Sequence, residues 1–330
     1  MNTNDTGNRV MKAQRFRGTL RRLASIACVC VSTTVLAAEP PTAAKTFENP
    51  RQAADSLIAA ADAFDLRALE DVLGASGRDA VLSGEYGADR QRAAEFATKA
   101  RENTRVSVDP GSGRRAFLLV GAEGWPFPIP IVKRGTKWSF DAAAGRREML
   151  YRRIGANELD AMTICRGYVD AQHEYALQKR EGYDVNQYAQ RVISTPGKHD
   201  GLAWQDPDGT WGGPVGEDVA KALQEGYSAQ GSKPYHGYYF KVLKGQGPAA
   251  PLGEMDFMVG GAMIGGFALA AAPAEYRVTG VMTFVVGPDG VVYEKDFGAD
   301  TLKAFQSMDK YNPDKTWKET DDDVEDDAAD

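Results

Sequence analysis

The stretch that most restricts the fold is the run from Asn157 to about Lys179. Projected at about 100° per residue, Asp160, Thr163, Gly167, Asp170, Glu174 and Gln178 fall on one narrow polar stripe. Apolar arcs flank it, with Leu159, Met162, Cys165, Val169 and Ala176 on one side and Ile164, Tyr168 and Tyr175 on the other. A helix that is apolar on two sides has to be covered from two sides. The segment is therefore expected to be the spine of a domain, lying between that domain's own sheet and another layer.

The residues C-terminal to the spine supply such a sheet. Trp204-Gln-Asp-Pro-Asp-Gly-Thr-Trp211 reads as a turn with a tryptophan at each end, and Gly216 to Gly226 as a short helix. Four strands come next: "YYFKVL", "MDFMV" with "MIGGFALAA", then "GVMTFVV" and "VVYEKDF" about the turn Gly287-Pro-Asp-Gly290. The residues N-terminal to the spine read as a second α+β unit. Asn49 caps a helix with Pro50 at its first position, and Ala54, Leu57, Ile58, Ala61 and Phe64 recur at helical spacing. Leu66, Leu69, Val72 and Leu73 repeat the pattern up to Gly74, and Ala93, Phe96, Ala97 and Ala100 mark a further helix. The period then changes to two, with strand pairs in "RVSVDPGSGRRAFLLV" and in "WPFPIPIV" and "KWSFD". Prolines 126, 128 and 130 remove ladder donors from one face, which predicts a sheet-edge strand there.

The two ends read differently. Arg15, Arg17, Arg21 and Arg22 precede an apolar stretch, Leu23 to Leu36, too short to span a bilayer, and Val35-Leu-Ala37 is a small-residue cleavage site. Residues 1–37 are thus expected to be an export signal, with Met11 as an alternative initiator. A twin-arginine signal at Arg21-Arg22 and a lipid anchor at Cys28 are the rarer alternatives. Cys28 and Cys30 leave with the signal, so Cys165 is left alone and no internal disulfide can form. A mature chain of about 290 residues has the length to rely on buried cores instead. The leader holds six basic residues and one acidic one, so its removal takes the net charge from −7 to −12. That balance argues against a nucleic-acid partner, which would need a basic stripe. Eight acids crowd the last twelve residues, "ETDDDVEDDAAD", as in a solvated, disordered tail.

Residues with chemistry to offer are few. His236 lies in "PYHGYYFKV", beside Tyr235, Tyr238, Tyr239 and Phe240, at the expected start of a strand. The chain has no CxxC and no HExxH, so a strand histidine packed on the spine is the simpler reading and a binding group the other. Arg166, Asp170 and His173 sit where the polar stripe meets an apolar arc, where a carboxylate one turn before a histidine can orient it. Helix-edge ion pairs give the same pattern, and no Ser or Cys nucleophile motif accompanies them. The glycines of "VGGAMIGGF" lack the Lys-Ser/Thr of a phosphate loop and read as a strand turn, and Asp206-Pro-Asp-Gly209 reads as a β-turn rather than a calcium loop. The binding candidates are thus His236, Tyr235, Tyr238, Arg166, Asp170 and His173. No catalytic, metal or cofactor site is expected.

Several stretches together, "WPFPIPIV", "RRIGANELDAM", "CRGYVDAQHEYA", "KPYHGYYFKVLKGQGPAAP" and "GGFALAAAPAEYRVTGVMTFVVGPDGVVYEKDFG", strongly resemble the exported bacterial family known as domain of unknown function 2950, over about residues 48 to 312. The resemblance implies export from a Gram-negative cell and carries no activity. The helix ending in "AQHEYA" followed by "GYYFKV" and the later strands is also similar to the globular heads of type IV pilin-like and pseudopilin proteins. It lacks their prepilin-peptidase site. By element order the first unit resembles the cone-shaped nuclear-transport-factor-2-like fold.

The expected molecule is α+β, with two packed domains. Its parts are a signal peptide (1–37), a linker (38–47), helices plus a curved antiparallel sheet (48–155), the long helix on a four-stranded antiparallel sheet (156–312), and an acidic tail (313–330). No transmembrane helix is expected in the mature part. The function expected is that of a periplasmic binding or assembly protein with another periplasmic or envelope protein as partner. The alternatives are a small-ligand carrier or hydrolase using the first domain's cavity, and a lipid-anchored or extracellular location.

Overall fold

The computed structural model describes residues 44–179, 184–216 and 234–321, all within one compact unit, Pro41–Asp330. The expected leader, the expected helix after Gly216 and the acids beyond Asp321 lie outside the described residues. The fold is α+β, with helices and antiparallel sheets. No helix among the described residues is long and apolar enough to cross a membrane.

The N-terminal part follows its caps. Asn49 accepts from Gln52 N at 2.9 Å and starts α1 (Pro50–Asp62); Asp65 accepts from Arg67 N and Ala68 N, both at 3.0 Å, and starts α2 (Leu66–Leu73). A short α3 (Ala75–Val81), absent from the sequence expectation, precedes α4 (Tyr86–Glu102). Its stretch, "ASGRDAV", has too little apolar periodicity to announce a helix. Five strands follow: β1 (Thr104–Val108), β2 (Arg115–Val120), β3 (Trp125–Pro126), β4 (Ile131–Arg134) and β5 (Lys137–Phe140). The order is β1-β2-β4-β5, with β3 also on β2.

The proline stretch differs from expectation. Only its start is an edge strand, β3, which holds Pro126 and pairs with β2 alone at Leu119; β2 uses the same edge for a second partner, pairing Ala116 with Ile131 of β4. Residues 127–130 bow out between the two ladders, since Pro128 and Pro130 have no N–H to give. The bow keeps Phe127, Ile129 and Ile131 buried in the core with Leu57, Leu69, Val72 and Leu118.

The spine, α5 (Ala142–Ala176), is 35 residues long and starts fifteen residues before Asn157, where it was expected to start. Asp141 caps it, accepting from Ala144 N at 3.0 Å. The expected domain boundary at 155–156 falls inside this helix. Up to Arg152 its contacts face the N-terminal core, as with Arg146 Nη1 to Ser76 O (3.0 Å) and Arg152 Nη1 to Pro126 O (2.8 Å). From Arg153 onward they face the other core, beginning with Arg153 Nε to Val278 O at 3.2 Å.

The C-terminal sheet runs β10-β9-β8-β7-β6, from β6 (Tyr238–Leu243), β7 (Ala268–Pro273), β8 (Thr283–Val286), β9 (Val292–Lys295) and β10 (Lys318–Glu319). All six residues of β7 are buried, and both α5 and α6 (Thr301–Ser307) pack against it. The opposite side of α5 is covered by the 184–204 segment, where Gln172, buried, donates to Ala189 O at 2.9 Å and accepts from Ala189 N at 2.8 Å. From Asn157 onward the spine is thus covered from two sides, although Leu159, like Tyr151 before it, is exposed.

Three further details depart from expectation. "MDFMV" makes short ladders apart from the main sheet, and Gly260-Gly261, both at positive φ, turn the hairpin in which Met258 pairs with Met263. The long strand starts only at Ala268. The tail is ordered further than expected, for Lys318 and Glu319 pair with β9, and Thr320 N donates to Val292 O at 2.9 Å. Trp317 helps hold that end, edge-on to Phe297 at 5.6 Å, with the Lys295 ammonium beside both rings.

Candidate functional site

His236 is not a strand residue. It sits with Gly237 in the two-residue turn closed by reciprocal 2.9 Å hydrogen bonds between Tyr235 and Tyr238. Both central residues have positive φ, 45° at His236 and 76° at Gly237, as a type I′ hairpin turn requires. Gly237 admits no side chain, because a Cβ there would lie 2.5 Å from Asn157 Nδ2 on α5. The imidazole leans on the Tyr235 ring (centroids 4.3 Å apart), and its Nδ1 meets the Asp160 carboxylate, so the turn is tied to the spine's polar stripe. Tyr238 faces inward instead. It is buried, its hydroxyl donates to Met282 O at 2.9 Å, and burial raises its pKa. That is a structural role.

The other candidates lie elsewhere. From Asp160 the helix rises about 9 Å to Arg166 and about 20 Å to His173, so Arg166, Asp170 and His173 do not join the His236 turn. Among the described residues no hydrogen bond or ion pair links Asp170 to His173; the His173 ring stands edge-on to Phe267 at 5.4 Å. Arg166 is half-buried. Cys165 beside it is fully buried, and burial pushes its thiol up to about 12, which leaves it protonated and inert. Among the described residues no group of three or more His, Cys, Asp or Glu side chains is placed to hold a metal.

The feature that sequence reasoning did not resolve into residues is a cavity of about 440 Å³ in the N-terminal part, within the usual range for small-ligand sites. Its inner wall is apolar: Leu57, Ala61, Leu69, Val120, Phe96 and Phe127. Trp125, Pro128 and Met149 of α5 continue it, and Asp89, Arg92, Glu95 and Lys99 bring the charge, all four from α4. Spacing explains that division. Ala93 and Phe96 are three apart on one face, with Arg92 and Lys99 bracketing them on the same side of the helix. Asp89 is itself buried, accepting from Ser83 N (2.8 Å), Ser83 Oγ (2.9 Å), Gly84 N (2.9 Å) and Arg92. These bonds, led by the Ser83 backbone, hold its pKa below the ordinary carboxylate value. A carboxylate so committed is a poor proton acceptor, and among the described residues no Ser, Cys or His lines the cavity. The arrangement can bind, and it offers hydrolysis no nucleophile of those kinds.

A family model described as "Protein of unknown function (DUF2950)" matches residues 44–320. The chain belongs to the DUF2950 family. No curated protein and no solved structure matches it, so the likenesses to pilin heads and to the nuclear-transport-factor-2-like cone have no solved structure behind them. The DUF2950 match takes in the cavity, the spine and the C-terminal sheet through β10. A second apolar cleft of this DUF2950 chain, about 260 Å³ between Ile164 and Tyr168 of α5 and Phe240 of β6, is smaller than ligand sites usually are.

Proposed function

We propose that the protein is an exported, periplasmic binding protein that holds a small, largely apolar molecule in the cavity of its N-terminal part. One observation carries this reading: a ligand-sized apolar cavity with its charges confined to one helix. Export rests on the leader pattern of residues 1–37. A partner in the envelope, to which the carrier would deliver its load, fits the same location.

The test uses the purified mature protein and the neutral fluorophore N-phenyl-1-naphthylamine. Its fluorescence should rise on binding, and Ala93→Trp, which fills the cavity from its wall, should abolish that rise while the melting temperature stays near that of the parent. No fluorescence rise in the parent protein, or a rise unaffected by Ala93→Trp, would remove the basis for a carrier.

A further inference from the structure

The apolar wall says little about what the ligand carries at its polar end, but the four charged side chains on α4 are not equivalent. Asp89 is saturated by Ser83, Gly84 and Arg92. Arg92 is spent on Asp89 and on Ser83 Oγ at 2.9 Å. Glu95 and Lys99 stand four apart, the spacing at which such a pair usually closes. Here it does not, because Glu95 is drawn back to Gln91, whose Nε2 donates to it at 2.9 Å and which does not line the cavity. Lys99 is left as the cavity-lining charge without a partner among the described residues. Its stem passes Gly121, at positive φ, where an added Cβ would come 3.4 Å from Glu123 Oε2, 3.7 Å from Lys99 Cβ and 3.9 Å from its Cδ; among the described residues Glu123 makes no ion pair with Lys99, and it does not line the cavity. Gly121 leaves room for that stem, and Lys99 is exposed at the cavity's rim, where its ammonium can meet a ligand's polar end.

Resting on the carrier reading above, we propose that the ligand is an anionic amphiphile of the fatty-acid class, its hydrocarbon seated against Phe96 and Phe127 and its carboxylate paired with Lys99. The pairing satisfies both charges at once. An ammonium head would face Lys99 across the same opening, with Asp89 already neutralised by Arg92 and Glu95 turned aside. A neutral head would leave Lys99 as it is.

Displacement of N-phenyl-1-naphthylamine by decanoate, decanol and decyltrimethylammonium separates these cases. Decanoate should displace at about tenfold lower concentration than decanol, with decyltrimethylammonium weakest, a preference that shrinks as salt is added. Lys99→Gln should erase the preference for decanoate and leave decanol unchanged, and Lys99→Arg should retain it. Decanoate displacing no better than decanol, or a preference that survives Lys99→Gln, overturns the head-group assignment while fluorophore binding leaves the carrier standing. If Lys99→Arg loses the preference although it still binds the fluorophore with unchanged melting temperature, the charge is not what recognises the ligand, and the assignment falls as well. Failure of the fluorophore to bind the parent protein overturns the carrier itself.

Discussion

Two glycines in one helix should respond unequally to the same substitution. Gly145 and Gly155 both lie in helical backbone within α5, so replacing either with Ala brings the same helix-propensity gain of about 1 kcal/mol. Their surroundings differ. A methyl at Gly155 meets nothing within 4 Å, whereas at Gly145 it would lie 2.5 Å from Ile129 Cγ1 and 3.0 Å from Ile129 Cα. Ile129 is fully buried in the bow between the two ladders of β2, so it has nowhere to retreat without moving backbone. Overpacking of this kind costs about 1–3 kcal/mol. Because the propensity gain cancels between the two variants, their difference in unfolding free energy should be that cost, about 1–3 kcal/mol, with Gly155→Ala the more stable. Urea titration of the mature protein followed by far-ultraviolet circular dichroism reads both. Should Gly145→Ala be stabilised as much as Gly155→Ala, the close docking of the spine on Ile129 would be refuted.

Substitution at His236 should be governed by backbone rather than by ring chemistry: His236→Asn, which tolerates positive φ, should melt near the parent, while β-branched His236→Val should lose about 1–3 kcal/mol. Equal losses in thermal melts would mean that the imidazole's contact with Asp160 matters more than the turn. Glu294 has its pKa raised by burial and by the charge of Glu158, with Asp321 adding to it and Lys318 opposing. A raised folded-state value means that this group's stabilising contribution is full below the ordinary glutamate pKa and is lost as pH rises through the folded value. Glu294→Gln should therefore stabilise at pH 7 to 8, with the gain vanishing near pH 4; a gain that grows on acidification would contradict the assigned surroundings.

Local chemistry made much of the fold legible. Asn49-Pro50 and the spacing of Leu57, Leu69 and Val72 announce α1 and α2 because caps and helical period act over a few residues. The spine's polar stripe showed that it is covered from two sides, and Gly260-Gly261 showed a hairpin turn rather than a phosphate loop. Matters of pairing were not legible. Where β2 changes partner, and hence that only Pro126 sits on an edge strand while Pro128 and Pro130 bow out between two ladders, depends on strand pairing. The start of α5 at Ala142 was hidden because its first turns have no clean apolar face of their own, only Gly145 against Ile129 and arginines reaching to Ser76 and Pro126.

The site divides along the same line. Sequence alone determined the residue types: a chain without metal or nucleophile motifs, a histidine among aromatic rings, and a helix with Ala93, Phe96, Ala97 and Ala100 at helical spacing. Only the tertiary structure decided that Asp160 is the partner of His236, so that Arg166, Asp170 and His173 lie apart from that turn, and that α1, α2, α4 and the bowed segment leave a cavity between them. The physical reason is that a cavity is a property of surfaces failing to meet. No side chain carries that information by itself, and it exists only once separate elements have packed.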